Sequence, residues 1–421
     1  MKIAFIHPTR PGREGAGSTQ SATQLIEGLS VRGHDVVVYC GSPPDEHRNE
    51  QTRHVPADGV GSTSLGKRVK MVRGLERRIE EFTSFDIVHS YTSRAIPALA
   101  TIGDETDAAT VAVLNSYGAI CPKKDLFYLN SERCTENGIA RCTNCLFRSK
   151  LKTEDGVYDG KSLYERYDGL SRIPVTGYML ARQFESLWLS QQVQECADRL
   201  DGYHAQSPHM KETYAEFGFP EESIHIVPNI LDERFSIPHE SGFTSPYRLL
   251  YVGSLAKKKG VFRLIPILDT LNASTADEFQ LTVAGTGAMR SVMEKEARSR
   301  DLEDKVNFAG HVKYSNLPEL YATHDVFIYP GVWDEPFARV FLESLATGTP
   351  FVGSNVGDVR EIFGPAGRIT DGSVEGFTES LLEIVRNDDF GPMSEAAKER
   401  AKRYESDQVL SQLEDMYELI I

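Results

Sequence analysis

The sequence predicts an α/β protein made of two doubly wound, parallel-sheet domains. Three observations support this fold class: short apolar strands alternate with helices from the N-terminus, glycine-rich loops follow the strands, and the same alternation restarts near Tyr247. Alternating strands and helices are typical of parallel sheets that are covered by helices on both faces. With 421 residues, the chain is also too long for a single hydrophobic core.

The first domain is predicted for residues 1–236. Residues 2–7 form an apolar run, residues 18–32 carry apolar side chains at helical spacing, and residues 35–40 (DVVVYC) form a second apolar run. This order is the β-loop-α-β unit that opens a parallel sheet. Further strands are predicted at residues 87–89, 110–115, 202–206 and 224–228, and an irregular, cysteine-bearing insertion at residues 116–160.

The second domain is predicted for residues 237–405, and the linker for about residues 232–245, a polar stretch that contains Pro238 and Gly242. Residues 406–421 place apolar side chains on one helical face, so we expect a terminal helix that packs back on the first domain. The strands of the second domain are predicted at residues 248–252, 280–284, 306–310, 326–329 and 350–353.

Composition and charge narrow the function classes. The hydrophobic and charged fractions of 40% and 25% are those of an ordinary globular protein, and the net charge of −15 argues against a nucleic-acid partner. No apolar run is long enough to span a bilayer, and the N-terminus lacks the apolar core of a signal peptide. We therefore expect a cytoplasmic protein, free or at the inner face of the membrane, with reduced thiols.

The stretch EPFARVFLE at residues 335–343 carries the most chemical information. Glu335 and Glu343 bracket the start of a predicted helix. Carboxylates accept hydrogen bonds from sugar hydroxyls, and the amides at a helix N-terminus attract phosphate oxygens. The pattern therefore indicates a ligand with both groups, whereas a core-facing helix with two surface acids is the simpler structural interpretation.

Eight motifs in order along the chain resemble those of retaining glycosyltransferase family 4, which has the GT-B fold of two Rossmann-like domains facing a central cleft. The motifs are GREGAGS, RGHDVVVY, DIVHSY, VPNILDERF, YVGSLAKKKG, LTVAGTG, VNFAGHV and the long block YPGVWDEPFARVFLESLATGTPFVGSNVGDVREI. The cysteine-bearing insertion resembles that of a subgroup of the family. No single motif is specific, but the ordered set covers nearly the whole chain.

The resemblance implies metal-independent transfer of a hexose-type sugar, with retention, from a nucleotide-diphosphate sugar in the second domain. The acceptor, a glycan, a lipid-linked molecule or a small molecule, would meet the first domain. Glu335 would hold a sugar hydroxyl, Glu343 the ribose, and Lys259 the leaving diphosphate. The amides of Phe337 and Ala338 would serve the sugar and those of Val340 and Phe341 the phosphates. Other implied donor contacts are Gly15, Gly17, Gly253, Ser254, Gly285, Gly287 and Val312.

Three departures from the family pattern affect this interpretation. Ser254 replaces an arginine of the phosphate loop, Ala338 a glycine, and Asn115 a histidine near the acceptor. Asn115 and His89 are the catalytic candidates of the first domain, beside Glu335 and Lys259 of the second, although a strand-end histidine is more often structural. The alternatives are a non-catalytic nucleotide-sugar-binding subunit and a nucleotide-sugar 2-epimerase.

Four cysteines, Cys121, Cys134, Cys142 and Cys145, fall within the insertion, and the last two form a Cys-x-x-Cys pair. In a reducing compartment this grouping indicates a structural zinc site. Two disulfides, unrelated buried thiols and an iron–sulfur cluster stay open as alternatives. No cofactor is expected for catalysis itself.

The segment at residues 67–82 is basic within an acidic chain. Its apolar side chains, Val72, Leu75, Ile79 and Phe82, share one helical face. The simpler interpretation is a solvated surface helix, and the functional one is peripheral contact with anionic lipid.

Overall fold

The structure is a computed structural model that describes residues 1–8, 17–41, 53–56, 66–130, 132–151 and 175–421. The chain divides into two compact units. The first consists of Met1–Pro228 together with Leu410–Ile421, and the second of Asn229–Val409. Each unit has its own parallel sheet, as the alternation of strands and helices predicts.

In the described part of the first unit, a seven-stranded parallel sheet has the order β3-β2-β1-β4-β5-β8-β9. Its central strands are almost fully buried, which explains their continuous apolar runs. The strands are β1 (Lys2–His7), β2 (Asp35–Cys40), β3 (Arg53–Pro56), β4 (Ile87–Ser90), β5 (Ala109–Leu114), β8 (Gly202–Ala205) and β9 (Ile224–Ile226). The helices are α1 (Gly17–Val31), α2 (Lys67–Glu76), α3 (Ile79–Phe82), α4 (Ile96–Glu105), α5 (Ile139–Leu151), α6 (Val175–Glu195) and α7 (Pro208–Glu216).

The second unit has a six-stranded parallel sheet with the order β12-β11-β10-β13-β14-β15. The carboxyl ends of these strands lead into the glycine-rich loops singled out in the sequence. The strands are β10 (Tyr247–Val252), β11 (Phe279–Ala284), β12 (Val306–Gly310), β13 (Val326–Tyr329), β14 (Phe351–Ser354) and β15 (Gly367–Thr370). The helices are α8 (Leu264–Ser274), α9 (Arg290–Ser299), α10 (Leu317–Ala322), α11 (Arg339–Thr347), α12 (Val359–Phe363), α13 (Val374–Asn387), α14 (Phe390–Ala401) and α15 (Ser406–Ile420).

The boundaries between the units differ from the predicted ones at residues 236/237 and 405/406. Residues 229–236 belong to the second unit because they pack in its core: Phe235 is 1% exposed, and the amide of Leu231 donates to the carbonyl of Tyr404 at 2.7 Å. The last turns of α15 belong to the first unit, where Glu414 accepts hydrogen bonds from Arg32 and His34. The start of the segment that its polar composition predicts to be a linker is therefore packed in the second unit.

The insertion is more regular than predicted. It contains a short antiparallel hairpin, β6 (Phe127–Tyr128) with β7 (Glu132–Arg133), and then α5, which carries the Cys-x-x-Cys pair. In α5, residues 142, 145, 146 and 149 share one helical face, and two of these positions are cysteines. Among the described residues, no helix is long and apolar enough to cross a membrane.

Candidate functional site

The centre of the candidate site is a pair of opposite charges on two loops of the second unit. Lys259 lies in the loop after β10, and Glu335 lies in the loop between β13 and α11. The Lys259 ammonium donates a hydrogen bond to Oε2 of Glu335, and both side chains are about one-seventh exposed. The Tyr329 hydroxyl joins them: it accepts from Lys259 Nζ at 3.2 Å and donates to Glu335 Oε2 at 3.0 Å. A lysine, a carboxylate and a phenol thus converge at the carboxyl ends of the neighbouring strands β10 and β13.

Two glycines allow these loops to approach each other. Gly260 has φ +70°, and a Cβ atom there would overlap the carbonyl oxygen of Pro330. Gly357 has φ +50°, and its Cβ would lie 2.6 Å from the carbonyl oxygen of Glu335. A side chain at either position would force the backbones apart and add strain. The loops that hold Lys259 and Glu335 are therefore fixed by close backbone packing.

A second lysine adds positive charge beside the pair. The Nζ atom of Lys258 lies 4.0 Å from the ring centroid of Trp333, a cation–π distance. The backbones are also joined there, because the amide of Val332 donates to the carbonyl of Lys258 at 3.2 Å. Ser254, which stands where the family has arginine, is exposed. The lysine run at residues 257–259 thus supplies the cations at this edge of the sheet.

Glu343 occupies a different environment although it belongs to the same motif. It is 4% exposed on α11 and accepts a hydrogen bond from the Tyr321 hydroxyl at 3.1 Å. Burial raises the pKa of Glu343 to about 7, against the opposing effects of the Arg339 charge and the Tyr321 hydrogen bond. Glu343 is therefore a carboxyl group that changes its ionisation near neutral pH.

The sequence did not reveal a chain of polar side chains beside Glu343. The guanidinium of Arg339 donates to the Tyr314 hydroxyl at 3.1 Å, and that hydroxyl donates to Asp232 Oδ2 at 3.1 Å. Hydrogen bonds from Arg234 and Tyr314, together with the Arg234 charge, lower the pKa of Asp232 against the effect of its burial. Because these residues lie far apart in the sequence, the only signal was the VPNILDERF motif, which contains Asp232 and Arg234.

The other donor-binding predictions fall at strand ends and helix starts. Gly253, Gly285 and Gly287 follow β10 and β11, and Val312 follows β12 and is half-buried. Gly17 is the first residue of α1, whereas Gly15 lies outside the described residues. These positions remain predictions.

The start of α11 requires one correction. Ala338 is its N-cap and makes no side-chain cap, and Phe337 and Ala338 are each 9% exposed. The amide of Phe341, predicted to bind phosphate, instead donates to the carbonyl of Ala338 at 3.1 Å. Because the Phe341 amide is hydrogen-bonded within the first turn of α11, it does not bind phosphate in this conformation. The role predicted for the Val340 amide is unaffected.

The two catalytic candidates of the first unit lie in contrasting places. Asn115 directly follows β5 and is half-buried, which suits a group at a strand end. His89 has no exposed surface, its Nδ1 lies 2.5 Å from the Tyr417 hydroxyl, and burial together with nearby His204 lowers its pKa well below the ordinary value. His89 is therefore a core histidine that hydrogen-bonds to Tyr417 of α15, and we replace the catalytic interpretation of His89 with a structural one.

The four cysteines of the insertion line one small cavity, and all of them are free thiols. Across the residues that the structure describes, however, no three His, Cys, Asp or Glu side chains are already placed to hold a metal ion. Burial raises the pKa of the Cys121 and Cys142 thiols. The other two cysteines, Cys40 and Cys196, are buried.

Comparisons with known proteins match both units. The family model Glycosyl transferases group 1 matches residues 233–404, and the model Glycosyltransferase Family 4 matches residues 15–133. Each matched segment resembles a glycosyltransferase family. An uncharacterized glycosyltransferase of Methanocaldococcus jannaschii is 32% identical over 168 residues, which are 36% of this chain and 41% of that protein. The chain therefore spans less than half the length of this relative.

Solved structures resemble the chain over its full length. The apo form of the lipopolysaccharide outer core galactosyltransferase WaaB superposes with a TM-score of 0.65 at 16% identity, covering 100% of both chains. HepE of Anabaena, in complex with UDP, gives a TM-score of 0.65 at 14% identity over 99% of each chain. With its two parallel α/β sheets, the chain has the GT-B fold of two Rossmann-like domains.

Proposed function

We propose that the chain is a retaining glycosyltransferase that moves a hexose-type sugar from a nucleotide-diphosphate sugar to an acceptor. The observation that carries this proposal is the Lys259–Glu335 pair beside the N-terminus of α11. A diphosphate needs a cation and a sugar needs hydrogen-bond acceptors, and here both are held by loops of fixed geometry. The family matches over both units support glycosyl transfer in general.

The roles follow from where charge develops in the reaction. Cleavage of the bond between the anomeric carbon and the phosphate oxygen leaves negative charge on the diphosphate. Lys259, with Lys258 beside it, would stabilise that charge, because a preorganised cation acts most strongly in the transition state. Glu335 would orient a sugar hydroxyl, and Glu343 would accept hydrogen bonds from the ribose.

Retention would arise from a reaction on one face of the sugar. The acceptor oxygen forms its bond to the anomeric carbon on the side from which the diphosphate leaves, and the departing phosphate oxygen takes the acceptor proton. No metal is required by this scheme. A trapped glycosyl–enzyme adduct would contradict it, because that adduct requires a side-chain nucleophile.

The proposed activity is tested by a donor screen followed by turnover. Thermal shift across UDP, GDP and ADP and their sugar conjugates identifies the nucleotide, because a ligand that binds the native state raises stability. Proton NMR of the transferred sugar then reports its anomeric configuration, with EDTA in a parallel sample. Retained configuration and activity in EDTA are expected, whereas an inverted product or a metal requirement would contradict the mechanism.

Two alternatives predict other outcomes of the same experiment. A non-catalytic sugar-nucleotide-binding subunit would show the thermal shift but neither transfer nor donor hydrolysis. A 2-epimerase would convert the free sugar nucleotide without an acceptor. Neither is favoured by the family matches, which are to glycosyltransferase models over both units.

A lipid-linked acceptor is supported by the surface of the first unit. The apolar face of α2 and α3 is buried through Val72, Leu75 and Phe82, so any membrane contact would use charge. Arg73, on α2, and Arg77, which directly follows its last residue, are exposed. Helix α6, which packs against α2, exposes an aromatic pair one turn apart: Phe184 is 66% exposed and Trp188 is 37% exposed. Cations and exposed aromatic rings together suit an anionic lipid surface.

Vesicle co-sedimentation tests this contact. We expect binding to phosphatidylcholine vesicles that contain phosphatidylglycerol, loss of that binding in Arg73→Glu/Arg77→Glu, and weaker binding in Phe184→Ser/Trp188→Ser. Equal binding to vesicles with and without the anionic lipid would contradict the proposal.

Structural zinc at Cys121, Cys134, Cys142 and Cys145 also remains a proposal, supported by their shared cavity. Zinc would have to draw the thiols together from the cavity walls, because they are not yet in ligand positions. Metal analysis of protein purified without added metal decides the matter, beside Cys142→Ser/Cys145→Ser as control. Stoichiometric zinc that the variant loses supports the site, and a folded, zinc-free protein contradicts it.

A further inference from the structure

Tyr329 is the least expected member of the candidate site. It is the last residue of β13, so its side chain emerges at the carboxyl edge of the sheet, where ligands of such folds bind. Its ring is 1% exposed, yet its hydroxyl contacts both Lys259 and Glu335. The buried Tyr329 hydroxyl hydrogen-bonds to a cation and to an anion, which a phenylalanine of nearly the same shape could not do.

The ring of Tyr329 is held in place by its surroundings. Phe341 of α11 packs against it edge to face, with 5.0 Å between the ring centroids. Gly331 leaves the remaining space, because a Cβ atom there would lie 2.6 Å from the Tyr329 ring. The hydroxyl therefore has one position, and that position lies between the two loops that carry the charged residues.

Without ligand, Glu335 has two hydrogen-bond donors on the same oxygen, the Lys259 ammonium and the Tyr329 hydroxyl. A donor diphosphate would compete for the ammonium, because phosphate carries more negative charge than one carboxylate. If Lys259 were its only partner, Glu335 would then be left partly buried and unpaired, which is costly. The phenol donates to Glu335 in either case.

We infer that Tyr329 is a positioning residue that keeps the Glu335 carboxylate oriented towards the sugar when Lys259 engages the diphosphate. This inference rests on the proposed function. Tyr329 itself touches neither sugar nor phosphate in this assignment; it acts through Glu335. It therefore affects the sugar half of the donor more than the nucleotide half.

The test separates those halves by binding calorimetry. Two probes are used. The first is the sugar nucleotide, among UDP-glucose, UDP-N-acetylglucosamine and GDP-mannose, that raises the melting temperature most. The second is the free nucleotide diphosphate of that sugar nucleotide. Tyr329→Phe removes one oxygen atom and leaves the ring packing intact. We expect it to weaken sugar-nucleotide binding about 10-fold, as for a lost hydrogen bond to a charged group, and to change nucleotide-diphosphate binding by less than about 2-fold.

A double-mutant cycle excludes a merely structural effect. In a Glu335→Gln background, Tyr329→Phe should change sugar-nucleotide affinity by less than about 2-fold, because the carboxylate it positions is gone. The matched control is Tyr203→Phe in the first unit, also a fully buried tyrosine, whose hydroxyl donates to the carbonyl of Ala197 at 2.9 Å. Tyr203→Phe should leave both affinities unchanged.

The outcomes distinguish this inference from the proposed function. If neither a sugar nucleotide nor its diphosphate binds, the proposed function fails. If both bind and Glu335→Gln weakens only the sugar nucleotide, but Tyr329→Phe has no effect, the inference alone fails. It also fails if Tyr329→Phe weakens both probes equally or acts undiminished in the Glu335→Gln background.

Discussion

Glu335 and Glu343 end the same nine-residue motif but differ in every physical respect. Glu335 lies in a loop, is partly exposed and is paired with a lysine and a phenol. Glu343 lies on a helix, is buried, and accepts a hydrogen bond from the neutral Tyr321 hydroxyl. One carboxylate is therefore paired with a cation and oriented before the ligand arrives, whereas burial raises the pKa of the other to about 7. Two acids that look equivalent in the sequence are fitted for different contacts.

The largest effect is expected at the charged end. Lys259→Ala removes the cation placed for the leaving diphosphate and leaves Glu335 without its ionic partner. We expect kcat to fall by about 100- to 1000-fold, the range seen when one preorganised group that stabilises transition-state charge is removed. A coupled assay for released nucleotide diphosphate measures it. Lys402→Ala, an exposed lysine paired with Glu399 on the surface, is the control and should be neutral.

The loop geometry that holds the Lys259–Glu335 pair can be disrupted by a substitution that removes no charged side chain. Gly260→Ala places a Cβ atom on the Pro330 carbonyl at a positive φ, so we expect about 3 kcal/mol lower unfolding free energy and loss of donor binding. The control is Gly391→Ala near the start of α14, where a Cβ atom meets nothing within 4 Å and no positive φ is required. Urea unfolding of both variants checks the prediction. Equal stability of the two would show that the loops are not closely packed.

The buried carboxyl group of Glu343 should make the unfolding free energy depend on pH. Glu343 has an ordinary pKa of 4.5 and a folded pKa of about 7, so between those values the folded state binds more protons than the unfolded state. Its contribution to the unfolding free energy is therefore fully present at low pH, falls as pH rises through this window and is constant above about 7. We expect the wild type to lose on the order of 1 to 3 kcal/mol more than Glu343→Gln across the window.

Denaturant unfolding of both proteins at matched pH values gives that difference directly, because other titrating groups contribute equally to the two curves. Parallel curves from pH 4.5 to 7 would mean that burial does not raise the pKa of Glu343.

The smallest effect is expected for Tyr321→Phe, which removes the hydroxyl that donates to Glu343. This hydrogen bond favours the ionised form, so its loss should move the pH-dependent window of Glu343 to higher pH. The stability loss should be about 1 kcal/mol, because the Tyr321 ring stays packed. If Tyr321→Phe left the pH dependence of stability unchanged, the Tyr321 hydroxyl would not be stabilising the ionised form of Glu343.

The sequence predicted the fold well because parallel α/β domains repeat a local signal. Strands such as residues 2–7 and 326–329 are buried on both faces and read as continuous apolar runs. The strands β3 and β15 were missed, since they are short and lie at sheet edges. The domain boundary was misplaced because polarity and proline mark a surface segment, not the unit on which that segment packs.

The sequence predicted the charged residues of the candidate site but not the hydrogen bonds that join them. Lys259 and Glu335 were identified from their motifs, and the structure brings them together. Tyr329, in contrast, belongs to an apolar strand and reads as core until its hydroxyl is placed in three dimensions. His89 illustrates the opposite error, because its position at a strand end resembled a catalytic one and only burial shows its packing role.

The central claim is that the Lys259–Glu335 site binds a nucleotide-diphosphate sugar. Calorimetric titration of the wild type and of Lys259→Ala, with the sugar nucleotide selected by thermal shift, tests it most directly. The account predicts saturable binding to the wild type and at least about 10-fold weaker binding to the variant, as expected for a lost charge-assisted contact. Absence of binding to the wild type, or equal affinity for the two proteins, would contradict it.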